Sequence, residues 1–125
     1  MQFRLKWKNL EISAAHKLPD YDGKCKELHG HNYFAPLLII SGNKDDDNGM
    51  VVDFAKVKGI LNKFDHAYIN DFMENPTLEN IMEYWITEIE KMGVKVIWFE
   101  VYETGKCSCI YSIKDNQFNI KEEMS

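Results

Sequence analysis

HGHNYFAPLLIIS, residues 29–41, decides both the fold and the chemistry of this chain. Its far end, Leu37-Leu38-Ile39-Ile40, is the longest apolar run in the sequence and suits a buried strand. Side chains on a strand alternate with a period of two, so His29 and His31 point to one face. Gly30 adds no side chain to the other face, where a neighbouring element can approach. Upstream, MQFRLKWKNLEISAAH (residues 1–16) is a second strand. Phe3, Leu5 and Trp7 occupy odd positions, whereas Leu10, Ile12, Ala14 and His16 occupy even ones. A bulge or tight turn near Lys8 and Asn9 accounts for this switch of parity. Pro19, Asp20, Asp22 and Gly23 mark the loop between the two strands.

Downstream of residue 41 the period changes. Gly42 to Gly49 is a polar turn. Asp53 is placed to cap a helix running to about Lys63, with Phe54, Val57, Leu61 and Phe64 on one face. Pro76 and Thr77 open a second helix, Thr77 as its N-cap, with an apolar stripe of Leu78, Ile81, Met82, Trp85, Ile89 and Met92. Gly93 ends it. Val94 to Glu103 reads as a third long strand, and Cys109 to Ile113 as a short fourth. The tail from Lys114 is polar and is expected to fray. The order ββααββ predicts an α+β fold, an antiparallel sheet with two helices on one face. No linker or repeat interrupts residues 1–125, so one domain is expected.

Composition bounds the function. The chain is 45% hydrophobic and 28% charged, which excludes disordered and collagen-like classes. Fifteen Lys+Arg against 20 Asp+Glu give a net charge of −5, which argues against a dedicated nucleic-acid binder. Most aromatics fall at core positions, so they do not form a base-stacking platform. No stretch approaches a membrane span, and residues 1–16 lack the apolar core of a signal peptide. The expected location is the cytoplasm. Three cysteines, an odd number, make no disulfide framework.

Several residues carry potential chemistry. If the first two strands form a hairpin, His16 comes within reach of His29 and His31. Three neutral imidazoles and one open position suit catalytic zinc; separate surface or core histidines are the bland alternative. Cys25 stands four positions before His29. It is a fourth ligand of a closed, structural zinc site, a free thiol activated beside the metal by Lys24 and Lys26, or an incidental small hydrophobe, which the polar run Asp22 to Glu27 disfavours. Asp65-His66 could orient and stabilise a proton-moving imidazole, although such dipeptides are common surface features. Glu103 falls on the odd positions of the third strand with Ile97, Phe99 and Val101. It either reaches solvent at the strand end or is a buried carboxylate that needs a partner with two adjacent N–H groups. Glu79 complements the dipole of the second helix. Cys107-Ser108-Cys109 lacks further ligands nearby.

These pieces resemble, in order and over nearly the whole chain, the 6-pyruvoyltetrahydropterin synthase and 6-carboxytetrahydropterin synthase family. The resemblance rests on Ser13-Ala14-Ala15-His16-Lys17-Leu18, Cys25-x-x-x-His29-Gly30-His31-Asn32-Tyr33, and Gly49-Met50-Val51-Val52-Asp53-Phe54. It continues through Phe64-Asp65-His66-Ala67-Tyr68-Ile69-Asn70, Glu74-Asn75-Pro76-Thr77-x-Glu79-Asn80 and Val101-Tyr102-Glu103-Thr104. It implies the tunnelling fold, with a four-stranded antiparallel sheet and two helices on one face. It also implies homo-oligomers, commonly hexamers made as dimers of trimers, with sites between subunits.

The resemblance further implies that His16, His29 and His31 hold Zn²⁺ and that Cys25, Asp65 and His66 are catalytic. Glu103 would anchor the pterin, with Thr104, Thr77 and Glu79 at the pocket. The implied substrate is 7,8-dihydroneopterin triphosphate. The Cys-x3-His-Gly-His spacing and the run Glu103 to Tyr111 are similar to the carboxy branch. That branch is a carbon–carbon lyase yielding 6-carboxy-5,6,7,8-tetrahydropterin, acetaldehyde and triphosphate for queuosine-type synthesis. The pyruvoyl branch, which only eliminates triphosphate and rearranges the side chain, is the alternative, as is a non-catalytic pterin-binding module. An aldolase-like branch has glutamate for the cysteine, and Glu27 lies near Cys25. Lys17 stands where family members often carry Arg, so Lys17, Lys24 and Lys26 are the candidates for the triphosphate.

Overall fold

The computed structural model describes residues 1–16, 29–113 and 120–124, with the backbone alone at 13–16, 29–31 and 124. Strand β1 (Gln2–His16) and strand β2 (His29–Asn43) form a long antiparallel pair, from Gln2 opposite Asn43 to His16 opposite His29. Helices α1 (Phe54–Asn62) and α2 (Leu78–Glu90) follow, separated by the two-residue strand β3 (Ala67–Tyr68) and one 3₁₀ turn (Ile69–Asp71). Strands β4 (Lys95–Tyr102) and β5 (Ser108–Ser112) complete a sheet of order β3-β1-β2-β4-β5. The four longer strands are antiparallel as expected; β3 is a small parallel addition beside β1.

Both helix caps are where the sequence puts them. Asp53 Oδ1 accepts from the Ala55 N–H at 2.9 Å, and Thr77 Oγ1 from the Asn80 N–H at 3.1 Å. Gly93, just past α2, has a φ of +85°, a conformation that glycine adopts without strain. The helices cover one face of the sheet. Trp85, Ile81, Ile89, Val57 and Leu61 pack there against Tyr33, Leu38, Ile40, Val96, Phe99 and Val101. Phe54 departs from expectation: it is half exposed, its ring set edge-on to Trp7 at 4.7 Å rather than in the core.

The parity switch in β1 has a definite form. Asn9 takes a φ of +60°. Lys8 pairs with Leu37 and Leu10 with Ala35, so one residue, Asn9 or Pro36, intervenes on each strand and the pairing does not slip. The sidedness of β2 flips at the same place. Tyr33 and Ala35 face the helices before it, Leu38 and Ile40 after it. Toward β4 the same interruption is one-sided, a shift of register between Phe34 and Leu37.

A second irregularity corrects a sequence expectation. Between Ile39 and Ile40 the register with β4 shifts again, and Ile97 is the extra residue. Ile97 therefore joins Leu37 and Ile39 on the other face, away from Phe99 and Val101. That face has its own cover. Helix α3 (Ile120–Met124) lays Ile120 over this patch. Glu123 meets Arg4 at 2.7 Å and Lys6 at 3.0 Å. This end of the tail is thus helical and anchored to β1, where fraying was expected. The two cations hold the Glu123 carboxyl below the ordinary carboxylate range, the Lys6 hydrogen bond being the largest cause.

Candidate functional site

The candidate site lies at the end of the sheet where β1 finishes and β2 begins. His16 pairs with His29 as the last rung of the hairpin, and His31 pairs with Ala14 two rungs inward. Strand β3 runs beside the same stretch, Ala67 against Ala14 and Tyr68 against Ala15. Adjacent strands are about 5 Å apart, so three backbone segments lie within roughly 10 Å. His66 immediately precedes Ala67, so all four histidines of the chain come to this one corner. The side chains of His16, His29 and His31, and the whole of Cys25, lie outside the described residues.

Asp65-His66 sits in a tight connection. The Asp65 N–H donates to the Asn62 carbonyl at 2.9 Å and the Ala67 N–H to the Phe64 carbonyl at 3.0 Å. His66 between them has a φ of +55°, a left-handed conformation that costs a non-glycine residue free energy. Its side chain is 81% exposed, with Nε2 3.7 Å from Asp65 Oδ1. That is ion-pair range for a protonated imidazole and too long for a hydrogen bond. The anchoring side chain of the connection is Phe64, fully buried against Trp85, Tyr84 and Phe72. A rigid aromatic base thus presents an exposed imidazole beside β1.

Glu103 follows the last residue of β4 and is partly buried. Its N–H donates to the Cys107 carbonyl at 3.1 Å, closing the turn into β5. On the helix-covered face it acts on Tyr33. Burial, and after it the Glu103 carboxylate, push the Tyr33 phenol far above its ordinary range, so it stays protonated. Thr104 is exposed, its Oγ1 accepting from the Lys106 N–H at 3.3 Å. It lines a cavity of about 560 Å³ with Asn32, Phe34, Glu100 and Tyr102. Phe34, Glu100 and Tyr102 alternate with Tyr33, Ala35, Phe99 and Val101, which face the helices, so the cavity lies on the other face. Glu103 and Thr104, adjacent in sequence, thus belong to different surroundings.

Thr77 and Glu79 open α2. Thr77 is occupied as the N-cap. Glu79 is exposed in the first turn, and its carboxylate acts on Cys109 of β5. Partial burial, and then Glu79, raise the Cys109 thiol pKa, which keeps the sulfur in the S–H form. Cys109 is opposite Val101 and packs against the helix-side core, whereas Cys107 is exposed. Neither Tyr33 nor Cys109 stood out in the sequence as a site residue. The signal for Tyr33 was present, since it follows His31 by two positions.

The comparisons bear on the fold and the family. The structure of Caenorhabditis elegans 6-pyruvoyl tetrahydropterin synthase superposes with a TM-score of 0.65, covering 91% of this chain and 97% of that one at 24% identity. The fold is therefore the tunnelling fold, the class to which that sheet-and-helix arrangement belongs. The family model described as 6-pyruvoyl tetrahydropterin synthase matches residues 6–114, and the chain belongs to that family. Among curated relatives, a 6-carboxy-5,6,7,8-tetrahydropterin synthase of Synechocystis is 36% identical over 116 residues, 84% of this chain and 90% of that protein. A putative 6-carboxy-5,6,7,8-tetrahydropterin synthase of Archaeoglobus fulgidus is 44% identical over 89 residues, 68% and 75% of the two chains. A dihydroneopterin monophosphate aldolase of Pyrococcus furiosus is 39% identical over 83 residues, 62% and 66%. Among the described residues no helix is long and apolar enough to cross a membrane.

Proposed function

We propose that this chain is a zinc-dependent carbon–carbon lyase. With one water consumed, it converts 7,8-dihydroneopterin triphosphate to 6-carboxy-5,6,7,8-tetrahydropterin, acetaldehyde and triphosphate. The observation that carries the reading is the convergence of His16, His29, His31 and the Asp65-His66 connection on one corner of the sheet. The Synechocystis relative, which this chain matches over most of both lengths, favours the carboxy product.

The donor set fits zinc. His16, His29 and His31 on adjoining backbone segments would hold the metal, and three imidazole ligands would suit a catalytic rather than a structural zinc. When bound there, zinc supplies Lewis-acid polarisation of the substrate side-chain hydroxyls. His66 exchanges a proton with the side-chain carbons. Asp65, with Oδ1 3.7 Å from His66 Nε2, orients the imidazole. Cys25 is the second proton-moving group. Glu103 accepts two N–H groups of the pterin edge, and Thr104, Thr77 and Glu79 border the pocket. The protein acts as one domain in a cytoplasmic homo-oligomer, with the site completed between subunits.

The test is incubation of zinc-loaded protein with 7,8-dihydroneopterin triphosphate, followed by mass spectrometry of the pterin and an aldehyde assay. Carboxytetrahydropterin with acetaldehyde is expected. Pyruvoyltetrahydropterin without acetaldehyde would move the protein to the triphosphate-eliminating reaction. Unchanged substrate over a fully loaded zinc site would overturn both and leave a pterin-binding module. Cys25→Ala should abolish turnover and keep the metal; loss of metal and fold together would instead mark Cys25 as a structural ligand.

A further inference from the structure

We propose that the end of the sheet remote from the histidine corner carries an anion-binding site, a cavity of about 700 Å³ lined by Arg4 and Lys95 that takes two linked phosphate groups of the pyrophosphate type. The site is independent of the reaction proposed above. Arg4 lies twelve residues, roughly 40 Å of strand, from His16.

Three strands bring the site together. Arg4 of β1 is opposite Ser41 of β2, and Ser41 is opposite Lys95 of β4. This row lies on the face turned away from α1 and α2, because Ser41 has the parity of Leu37 and Ile39. Lys95 joins the row only through the bulge at Ile97. Phe99 and Val101 face the helices, and an unbroken alternation would put Lys95 there too. The extra residue reverses the parity, so Lys95 shares the face of Ile97 and Arg4. Neighbouring strands are about 5 Å apart, so the two cations are rooted about 10 Å apart with Ser41 between them.

The lining is chemically one-sided. Gln2, Arg4, Ser41, Asn43 and Lys95 supply its polar groups, and among the described residues no carboxylate lines it. That is a selective arrangement in a chain with 20 Asp+Glu and a net charge of −5. Ser41 Oγ donates to Gln2 Oε1 at 2.7 Å, which leaves the amide N–H₂ as the donor end of Gln2. One terminal nitrogen of Arg4 holds Glu123 Oε1 at 2.7 Å, so this guanidinium is a placed cation that already takes an oxyanion. A guanidinium has five N–H donors, more than one carboxylate oxygen uses. Lys95 forms no ion pair among the described residues. Two cations rooted on either side of a hydroxyl suit an anion with one charged group for each, and two linked phosphates supply that. Among the described residues no histidine or cysteine lines the cavity, so the site binds its ligand without reacting with it.

Titration of the protein with inorganic pyrophosphate, followed by backbone ¹⁵N–¹H shifts, tests this. Saturable shifts are expected at Ser41, Gly42, Asn43 and Lys95. No saturable shift there, or shifts confined to the strand ends at His16, His29 and His31, overturns the site. Lys95→Gln should raise the Kd for pyrophosphate about tenfold or more, whereas Lys8→Gln, on the same face but outside the cavity, should leave it within about twofold. Equal losses from the two variants would mean attraction to the general charge of this face and overturn the site. Orthophosphate should bind about tenfold or more weakly than pyrophosphate; equal affinity overturns the assignment of two linked groups. Should Lys95→Gln fail to fold, Arg4→Gln is read in the same way. The pterin reaction can fail without changing any of these readings.

Discussion

The β1–β2 hairpin is one ladder with two unlike halves. In the half beyond Asn9 and Pro36 that carries Leu37 to Ile40, all four of these residues are fully buried, on alternating faces. In the other half, the strands carry Tyr33, His31, His29 and His16 toward an end joined by β3 and its exposed His66. The first half has little freedom of chemistry because both of its faces are packed. The second is packed on the helix face by Tyr33 and Ala35 and open to a cavity beside Asn32 and Phe34. The comparison teaches that packed and open surface are divided along the strands as well as between the two faces of the sheet, and the proposed chemistry falls in the open half.

The division predicts opposite outcomes for substitutions only a few rungs apart. The largest effect is expected from His66→Ala. Turnover should fall about 10²- to 10⁴-fold while thermal unfolding is lowered only slightly, since alanine meets the same left-handed cost at an exposed site. A drop in melting temperature matching the loss of rate would break the distinction. Leu38→Ala, in the packed half, should cost about 2–5 kcal/mol of stability in denaturant unfolding. It should leave KM unaltered in the fraction that stays folded. Gly42→Ala tests the closed end of β2. A Cβ there would meet Val51 Cγ1 at 2.9 Å and Val94 Cγ1 at 3.1 Å, so these side chains must shift, at about 1–3 kcal/mol.

Thr77→Ala sharpens the assignment of a residue that both capping and pocket readings claim. Loss of the cap should cost about 1 kcal/mol of stability, and a pocket role would add a rise in KM. The smallest effect is expected at Glu123. Its carboxyl is held below the ordinary 4.5, so its contribution is present above that pH and fades as pH falls through the lowered value. The pair with Arg4 and Lys6 is at the surface, so Glu123→Gln should cost less than about 1 kcal/mol at neutral pH and nothing once the pH lies well below that lowered value. Urea unfolding at the two pH values reads this directly.

Much of the fold was legible because local rules dominate where it was read correctly. Asp53 and Thr77 cap their helices as their side-chain chemistry dictates, and the change from odd to even positions in β1 located the break at Asn9. Ile97 was assigned to the wrong face because an inserted residue in β4 depends on its partner strand, which a period of two cannot report. Strand β3 is two residues long and owes its existence to β1, which lies fifty residues earlier. Helix α3 was missed because its hold on the sheet is Ile120 on a patch created by that same bulge, together with Glu123 on two cations of β1. For the site, the histidine spacing was visible in sequence. The surroundings of Glu103 were not, since they depend on the turn from β4 into β5 that its N–H closes onto the Cys107 carbonyl.

The paired interruption at Asn9 and Pro36 has a consequence for how such a protein can change. Sidedness resets on both strands together, yet Lys8–Leu37 and Leu10–Ala35 stay in step. A cut through both strands at this level would preserve hydrogen-bonding phase on either side. It forms a natural seam for chimeras, where the reactive half of one relative could be spliced onto the packed half of another without realigning the ladder.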